Sequence, residues 1–226
     1  MPHINSTAFN CLLLRLLLPL LGVLPVGAGA AQPLRVAFVF DDGPAPDQAE
    51  KLLAVLAQAQ VKVSFSYVGG AVDARPDLAR KAFEAGHEIN NHSYTHPHLR
   101  ELSKEAAAKE LSDTALAVEK AVGVKPKWFW PPFLETNEQI DGLAASVGSH
   151  PYPMSRLHLV STDDWNLETT AQQIHDRALT DVKDRTVILC HEWRAETVQQ
   201  LPSILVELKN RGATFLTFSE LAATLD

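Results

Sequence analysis

From Leu34 onward, short apolar runs alternate with stretches in which apolar residues recur every three or four positions. Leu34–Phe40 has the pattern of a buried strand, and a helix is expected after it over about Asp47–Ala59. "VKVSFSYVGG" predicts a second strand closed by two glycines. "RPDLARKAFEAG" predicts a helix with a glycine stop that leads into "HEINNHS". Ser103 is placed to cap a long helix running to Val122, with Leu111, Ala115, Val118 and Val122 on one stripe and Gly123 ending it. "PKWFWPPF" has the form of a strand and then a turn. "LHLVST", "TVILCH" and "TFLTF" predict three further strands, with helices near Ala171–Leu179 and Glu196–Asn210. This alternation implies parallel strands joined by helical crossovers, hence an open sheet or a barrel in a single domain.

In such architectures functional groups gather where loops leave the C-terminal ends of the strands. The polar residues of this chain fall there. Asp41-Asp42 follow the first strand, His92 and His96 the third, and Pro131–Phe133 the next, while Asp164-Trp165 and His191 follow later ones.

The N-terminus breaks the pattern. "CLLLRLLLPLLGVLPVGAGA" is apolar except for Arg15 and ends in small residues, and Ala28-Gly29-Ala30 fits a signal-peptidase site. Residues 1–30 are therefore expected to be a cleaved signal peptide and residues 31–226 the mature domain. Pro19 and Pro25 would disturb a membrane-spanning helix, so no stable span is expected after cleavage. The protein is then exported, to the periplasm, the cell envelope or the medium. Cleavage removes Cys11 and leaves Cys190 alone, which excludes an internal disulfide. Cys190 is expected to be a small buried hydrophobe. A net charge of −7 without a basic cluster argues against a nucleic-acid partner.

"NHSYTH" places His92 and His96 four apart, a spacing that presents two imidazoles to one metal ion. With one carboxylate of the Asp41-Asp42 pair they would supply three ligands and leave positions open. The second carboxylate could then take a proton from water. As plain structure, Asp-Asp-Gly-Pro is turn chemistry. His87, His98, His150 and His158 are expected to lie outside the site. Trp128 and Trp130, at alternating strand positions, fit a core better than a sugar-stacking surface.

"FDDGP", "HSYTH", "WPPF", "DDW" and "LCH", in this order, resemble the five motifs of the NodB-type polysaccharide deacetylases, carbohydrate esterase family four. The resemblance covers about Leu34–Leu225. It implies an α/β fold, a distorted, incomplete (β/α) barrel. It assigns Asp42, His92 and His96 to a divalent metal, Zn2+ or another such as Co2+, and Asp41 to the role of base toward a water activated there. His191 becomes the general acid, oriented by Asp164. In "WPPF", Trp130, Pro132 and Phe133 fall in the substrate and oxyanion region, with the Phe133 N–H serving the oxyanion hole, and Trp165 lines the substrate groove. The implied activity removes N-acetyl groups from N-acetylglucosamine units of a polysaccharide such as peptidoglycan or chitin. The alternatives are an O-acetyl esterase of the acetylxylan type and a carbohydrate-binding protein that keeps the metal but has little catalysis.

Two positions depart from the family pattern. The family begins the third motif with an arginine that orients the catalytic aspartate; Trp130 stands there. Arg194 or Arg156 could substitute. The first aspartate of the fourth motif is Ser161 here. An Asp41 left without any donor would favour the binding protein over the enzyme.

Overall fold

The structure, a computed structural model, describes residues 33–225; the expected leader, residues 1–30, lies outside the described residues. Eight parallel strands form the frame: β1 (Leu34–Gly43), β2 (Ser64–Tyr67), β3 (Glu88–Asn91), β4 (Trp128–Phe129), β5 (His150–Pro151), β6 (His158–Ser161), β7 (Thr186–His191) and β8 (Ala213–Leu216). Their order is β5-β4-β3-β2-β1-β7-β6, with β8 pairing the first residues of β1 and β2 its last ones. β5 and β6 stand at the two ends of this path, so the result is an incomplete barrel. The helices are α1 (Ala49–Ala59), α2 (Gly69–Ala74), α3 (Pro76–Glu84), α4 (Lys104–Val122), α5 (Glu138–Ser146), α6 (Ala171–Leu179), α7 (Ala195–Asn210) and α8 (Phe218–Ala222).

The alternation of β1 divides the core. Val36, Phe38 and Phe40 join the main apolar cluster with Leu52 and Leu56 of α1 and Leu201 and Leu205 of α7. Ala37 and Val39 face the other way, into a second cluster with Trp130, Tyr152, Val187 and Phe218. Asp41 is the next position on that inner face. A carboxylate is thereby carried into the interior of the barrel, where it is only 4% exposed.

Most predicted elements are present. The Ser103 hydroxyl accepts from the Ala106 N–H at 3.2 Å, and Gly123 closes α4 at φ 84°. The second strand ends earlier than expected, and its two glycines open α2 instead of terminating a strand. A Cβ on Gly69 would lie 2.6 Å from the Tyr94 ring and 2.8 Å from Thr114 Cα, so this glycine answers to packing. The α5 helix, the two-residue β5 and the closing α8 were not anticipated. In α8, Phe218 starts a helix capped by Thr217 and does not continue the strand.

Candidate active site

Two adjacent residues of a regular strand point to opposite faces, so Asp41 and Asp42 cannot both enter one site without a break. The break is a bulge. Asp41 pairs with Ser66 and Gly43 with Tyr67, which leaves Asp42 unpaired at φ 67°. Asp42 is turned toward the same groove as Asp41.

The histidines arrive on a tight loop after β3, not on a helical turn. Ser93 and His96 adopt left-handed φ values of 61° and 58°. Asn91 Oδ1 accepts from the Ser93 N–H at 3.0 Å, and the Ser93 hydroxyl accepts from the His96 N–H at 3.1 Å. Glu110 of α4 pins the loop from outside by accepting from the Tyr94 and Thr95 N–H groups at 2.8 and 2.7 Å.

Asp42 Oδ1 lies 3.4 Å from His92 Nε2 and 3.3 Å from His96 Nε2, and one ligand atom from each of the three residues falls within 4.8 Å of the others. His92 Nδ1 sits 2.7 Å from the Trp130 carbonyl, so Nδ1 carries a proton and Nε2 is the ring atom that faces Asp42, the one able to serve as a ligand once its own proton is lost. Asp42 Oδ1 is buried without a hydrogen-bond partner among the described residues. A divalent cation fits this donor set. It would occupy the face that the orphaned oxygen and the imidazole lone pair share.

Burial pushes the Asp41 carboxyl up to about 6, against the pull of His92, His191 and the Trp130 hydrogen bond. Burial acts on Asp42 as well, but the facing His92, with the charges of His96 and His191, holds it well below the usual carboxylate range. His191 is opposed by burial, yet Asp164, Asp41 and Asp42 together raise its pKa. Asp164 accepts from both the ring and the backbone of His191: Nδ1 at 2.7 Å and N–H at 2.9 Å. The Thr197 hydroxyl holds its second oxygen at 2.5 Å. His191 is thus aimed from behind and kept charged, as a proton donor requires.

Among the described residues no arginine meets Asp41. The donor is Trp130 itself, whose indole N–H reaches Asp41 Oδ2 at 2.7 Å. Trp130 has no exposed surface, so the expectation that it touches substrate is corrected, and Pro132 is likewise buried. Arg194 donates to the Leu167 and Thr169 carbonyls at 3.3 and 3.0 Å, and Arg156 to the Leu225 carbonyl. The Ser161 hydroxyl donates to Asp163 at 2.7 Å, and Asp163 pairs with Arg177. The altered fourth motif therefore reshapes a groove wall and leaves the reacting groups alone.

Asp41, Asp42, His92, His96, Asp163 and His191 line a groove of about 520 Å³. Phe133 and Trp165 flank it at 51% and 59% exposure, enough bare aromatic surface to stack on sugar rings. Phe133 sits at φ 56°, its ring between those of His96 and His98. Of this turn, Pro131 and Pro132 have no N–H, while the Leu134 and Glu135 N–H groups bond back to the carbonyls of Pro131 and Pro132. Those bonds do not use the Phe133 N–H.

The polysaccharide deacetylase family model matches residues 28–152, more than half of the 226-residue chain. The chain belongs to the polysaccharide deacetylase family. It is similar to a bifunctional xylanase/deacetylase of Pseudobutyrivibrio xylanivorans, 31% identical over 82% of this chain and 30% of that protein. It is also similar to a peptidoglycan-N-acetylglucosamine deacetylase of Listeria monocytogenes, 30% identical over 83% of this chain and 38% of the relative. The chain thus spans well under half the length of these two relatives. A family 4 carbohydrate esterase from Streptomyces lividans, solved with acetate, superposes with a TM-score of 0.73 at 31% identity, covering 80% of this chain and 91% of that one. The incomplete parallel barrel is therefore the fold of the deacetylase family.

Several residues that shape the site carried no sequence signal: Glu110 under the histidine loop, Thr197 on Asp164, and the pair after His191. Trp193, in that pair, donates from its indole N–H to Asp42 Oδ2 at 3.1 Å. Glu192 is fully buried against Gly43 and Tyr67, and accepts from the Ala45 N–H at 3.2 Å. A Cβ on Gly43 would lie 2.0 Å from Glu192 Oε2, so the glycine makes room for this carboxyl.

Burial raises the Glu192 pKa to about 8. A folded pKa above the unfolded value means that the stabilisation is complete below the unfolded value and is lost as pH rises through 8. Glu192→Gln does not titrate. Its melting temperature relative to the unaltered protein is expected to climb between pH 5 and pH 8 and to level off above. A constant difference across that range would show that Glu192 is not held as the neutral acid. His87 illustrates the opposite sign: burial lowers it to about 4, and its Nδ1 accepts from the Val63 N–H, a purely structural use remote from the groove.

Proposed function

We propose that the chain is an exported, metal-dependent deacetylase that removes N-acetyl groups from N-acetylglucosamine units of a cell-wall or related polysaccharide. Residues 1–30 would be its cleaved leader. One observation carries the reading: both carboxylates of the bulge, His92, His96 and His191 converge on one open groove, and Asp41 retains a hydrogen-bond donor. The peptidoglycan relative's name supports the substrate class.

Asp42, His92 and His96 would hold the cation, Zn2+ or another such as Co2+. When bound, it supplies Lewis acidity toward water and toward the acetyl carbonyl oxygen. Asp41 is mostly ionised at neutral pH and takes the proton of the attacking water at its bare Oδ1. The Phe133 N–H stabilises charge that develops on the carbonyl oxygen. His191, kept protonated by Asp164, gives its Nε2 proton to the departing amine. Trp165 and Phe133 bind the sugar faces.

The xylanase/deacetylase relative supports an O-acetyl esterase as a second reading, since ester and amide hydrolysis would use the same groups. The test is acetate release by the zinc-loaded full chain from chitooligosaccharides, peptidoglycan and acetylxylan, with and without chelator. Chelator-sensitive release from the N-acetylglucosamine polymers is expected. Release from acetylxylan alone would favour the esterase, and no release from any of the three would leave a carbohydrate-binding protein.

A further inference from the structure

The two carboxylates of the bulge are covalent neighbours and lie almost equally close to the same imidazole. Asp42 Oδ1 is 3.4 Å and Asp41 Oδ2 3.8 Å from His92 Nε2. His96, 3.3 Å from Asp42 Oδ1, already favours Asp42 as the ligand, but Asp41 Oδ2 stays close enough to His92 to compete for the same cation. The proposed chemistry needs that choice, because a carboxylate committed to the metal is a poor base. Directional hydrogen-bond donors on the two carboxylates can enforce it.

Each carboxylate meets one indole N–H, and the two indoles take opposite oxygens. At Asp42, Trp193 bonds Oδ2, the oxygen on the His191 side, 3.9 Å from His191 Nε2, and leaves Oδ1 bare between His92 and His96. At Asp41, Trp130 bonds Oδ2, the oxygen 3.8 Å from His92 Nε2, and leaves Oδ1 bare. Among the described residues, the buried oxygens without a hydrogen-bond partner include one from each carboxylate, Oδ1 in both cases.

Indole nitrogen donates and never accepts, and it carries no charge. It therefore occupies one lone pair without pairing the carboxylate electrostatically, as a guanidinium would. Both donors are held by packing. Trp130 is fully buried, edge-on to Tyr152 at 4.3 Å, and Trp193 lies against His191 with ring centroids 5.7 Å apart.

We propose that the two tryptophans sort the paired carboxylates: Trp193 fixes Asp42 as a one-oxygen metal ligand, and Trp130 keeps Asp41 off the metal with its second oxygen free of hydrogen bonds. Both are positioning residues, since each acts through an aspartate. The inference rests on the metal-dependent reading above.

The test replaces each tryptophan in the full chain by 3-benzothienylalanine, which keeps the bicyclic shape and removes only the N–H. Zinc affinity is measured by titration calorimetry, and acetate release from a chitooligosaccharide at saturating zinc. At position 193 zinc affinity is expected to fall by about 10–100-fold, the usual loss for an outer partner of a ligand, with kcat changed much less. At position 130 zinc affinity is expected to hold while kcat falls by about 10-fold or more at unchanged KM, because the base is no longer aimed. Trp193→Phe, at a half-buried position, provides a second variant for the metal arm. A purely structural role would move both readouts together at both positions, and that result overturns the proposal, as would the reverse pattern or no change in either. Failure of the unaltered protein to bind zinc would instead sink the metal-dependent reading itself.

Discussion

Asp41→Asn is expected to reduce acetate release by about 10²–10⁴-fold, the usual loss for a general base, with zinc stoichiometry retained. The side chain is nearly isosteric, and an Asn oxygen can still accept the Trp130 N–H that holds Asp41 at 2.7 Å. The ligand set of Asp42, His92 and His96 is untouched. The variant loses the ability to take a proton and the buried charge. Stability is expected to move in the other direction. Burial raises the folded pKa of Asp41 to about 6 from an ordinary value of 3.8. A raised folded value means stabilisation that is full below the unfolded pKa and lost as pH climbs through 6, so at pH 7.5 the ionised side chain costs the metal-free protein stability. At 1.36 kcal/mol per pKa unit, the neutral amide relieves on the order of 3 kcal/mol. Thermal unfolding of the metal-free variant at pH 7.5 should therefore occur above that of the unaltered protein, and the gap should close toward pH 4. A variant that is inactive and also less stable at pH 7.5 would identify Asp41 as a structural residue. An unchanged rate would remove it from the mechanism.

Asp41 and Asp42 were legible in the sequence as a pair but not as a geometry. Alternation in β1 places Val36, Phe38 and Phe40 toward the helices and Ala37 and Val39 inward, and both sets are readable from spacing. The same spacing would put Asp41 and Asp42 on opposite faces. Only the bulge at φ 67° reunites them, and a left-handed aspartate leaves no periodic trace. The Ser103 cap and the Gly123 stop of α4 were legible because capping is local chemistry. Strands of two residues, Trp128–Phe129 and His150–Pro151, are too short to show a period, and their place comes from pairing alone. Trp130 marks the boundary of what spacing can tell. Its position, where the family has an arginine, is visible in the chain, and so is the loss of a charged partner for Asp41. That its indole N–H would replace the missing donor depends on a rotamer set by Tyr152 and the surrounding core. Glu110, Thr197 and Trp193 act at distances along the chain that no local motif spans.

His92→Ala is expected to abolish stoichiometric zinc binding. His92 is 1% exposed, and its ring is oriented from both sides, by the Trp130 carbonyl at Nδ1 and by Asp42 at Nε2. Its removal subtracts one of three ligands and leaves the Trp130 carbonyl without its partner. Asp42 Oδ1 then faces a void on one side. The loss of affinity should exceed the ~10–100-fold that follows from losing an outer-shell partner, because here the ligand itself is gone. Heat resistance offers an independent readout. A cation that binds only the folded chain stabilises it by about 2.7 kcal/mol at a hundred times its Kd. Zinc should therefore raise the melting temperature of the unaltered protein and leave that of His92→Ala where it was. His98→Ala serves as the control. His98 stacks on Phe133 at 3.9 Å and pairs with Glu135, outside the ligand triad, so the zinc-induced shift should persist there. The two variants thus separate a histidine that holds the cation from one that only braces the groove. Full zinc stoichiometry in His92→Ala would overturn the ligand assignment, and with it the separation of duties between Asp42 and Asp41.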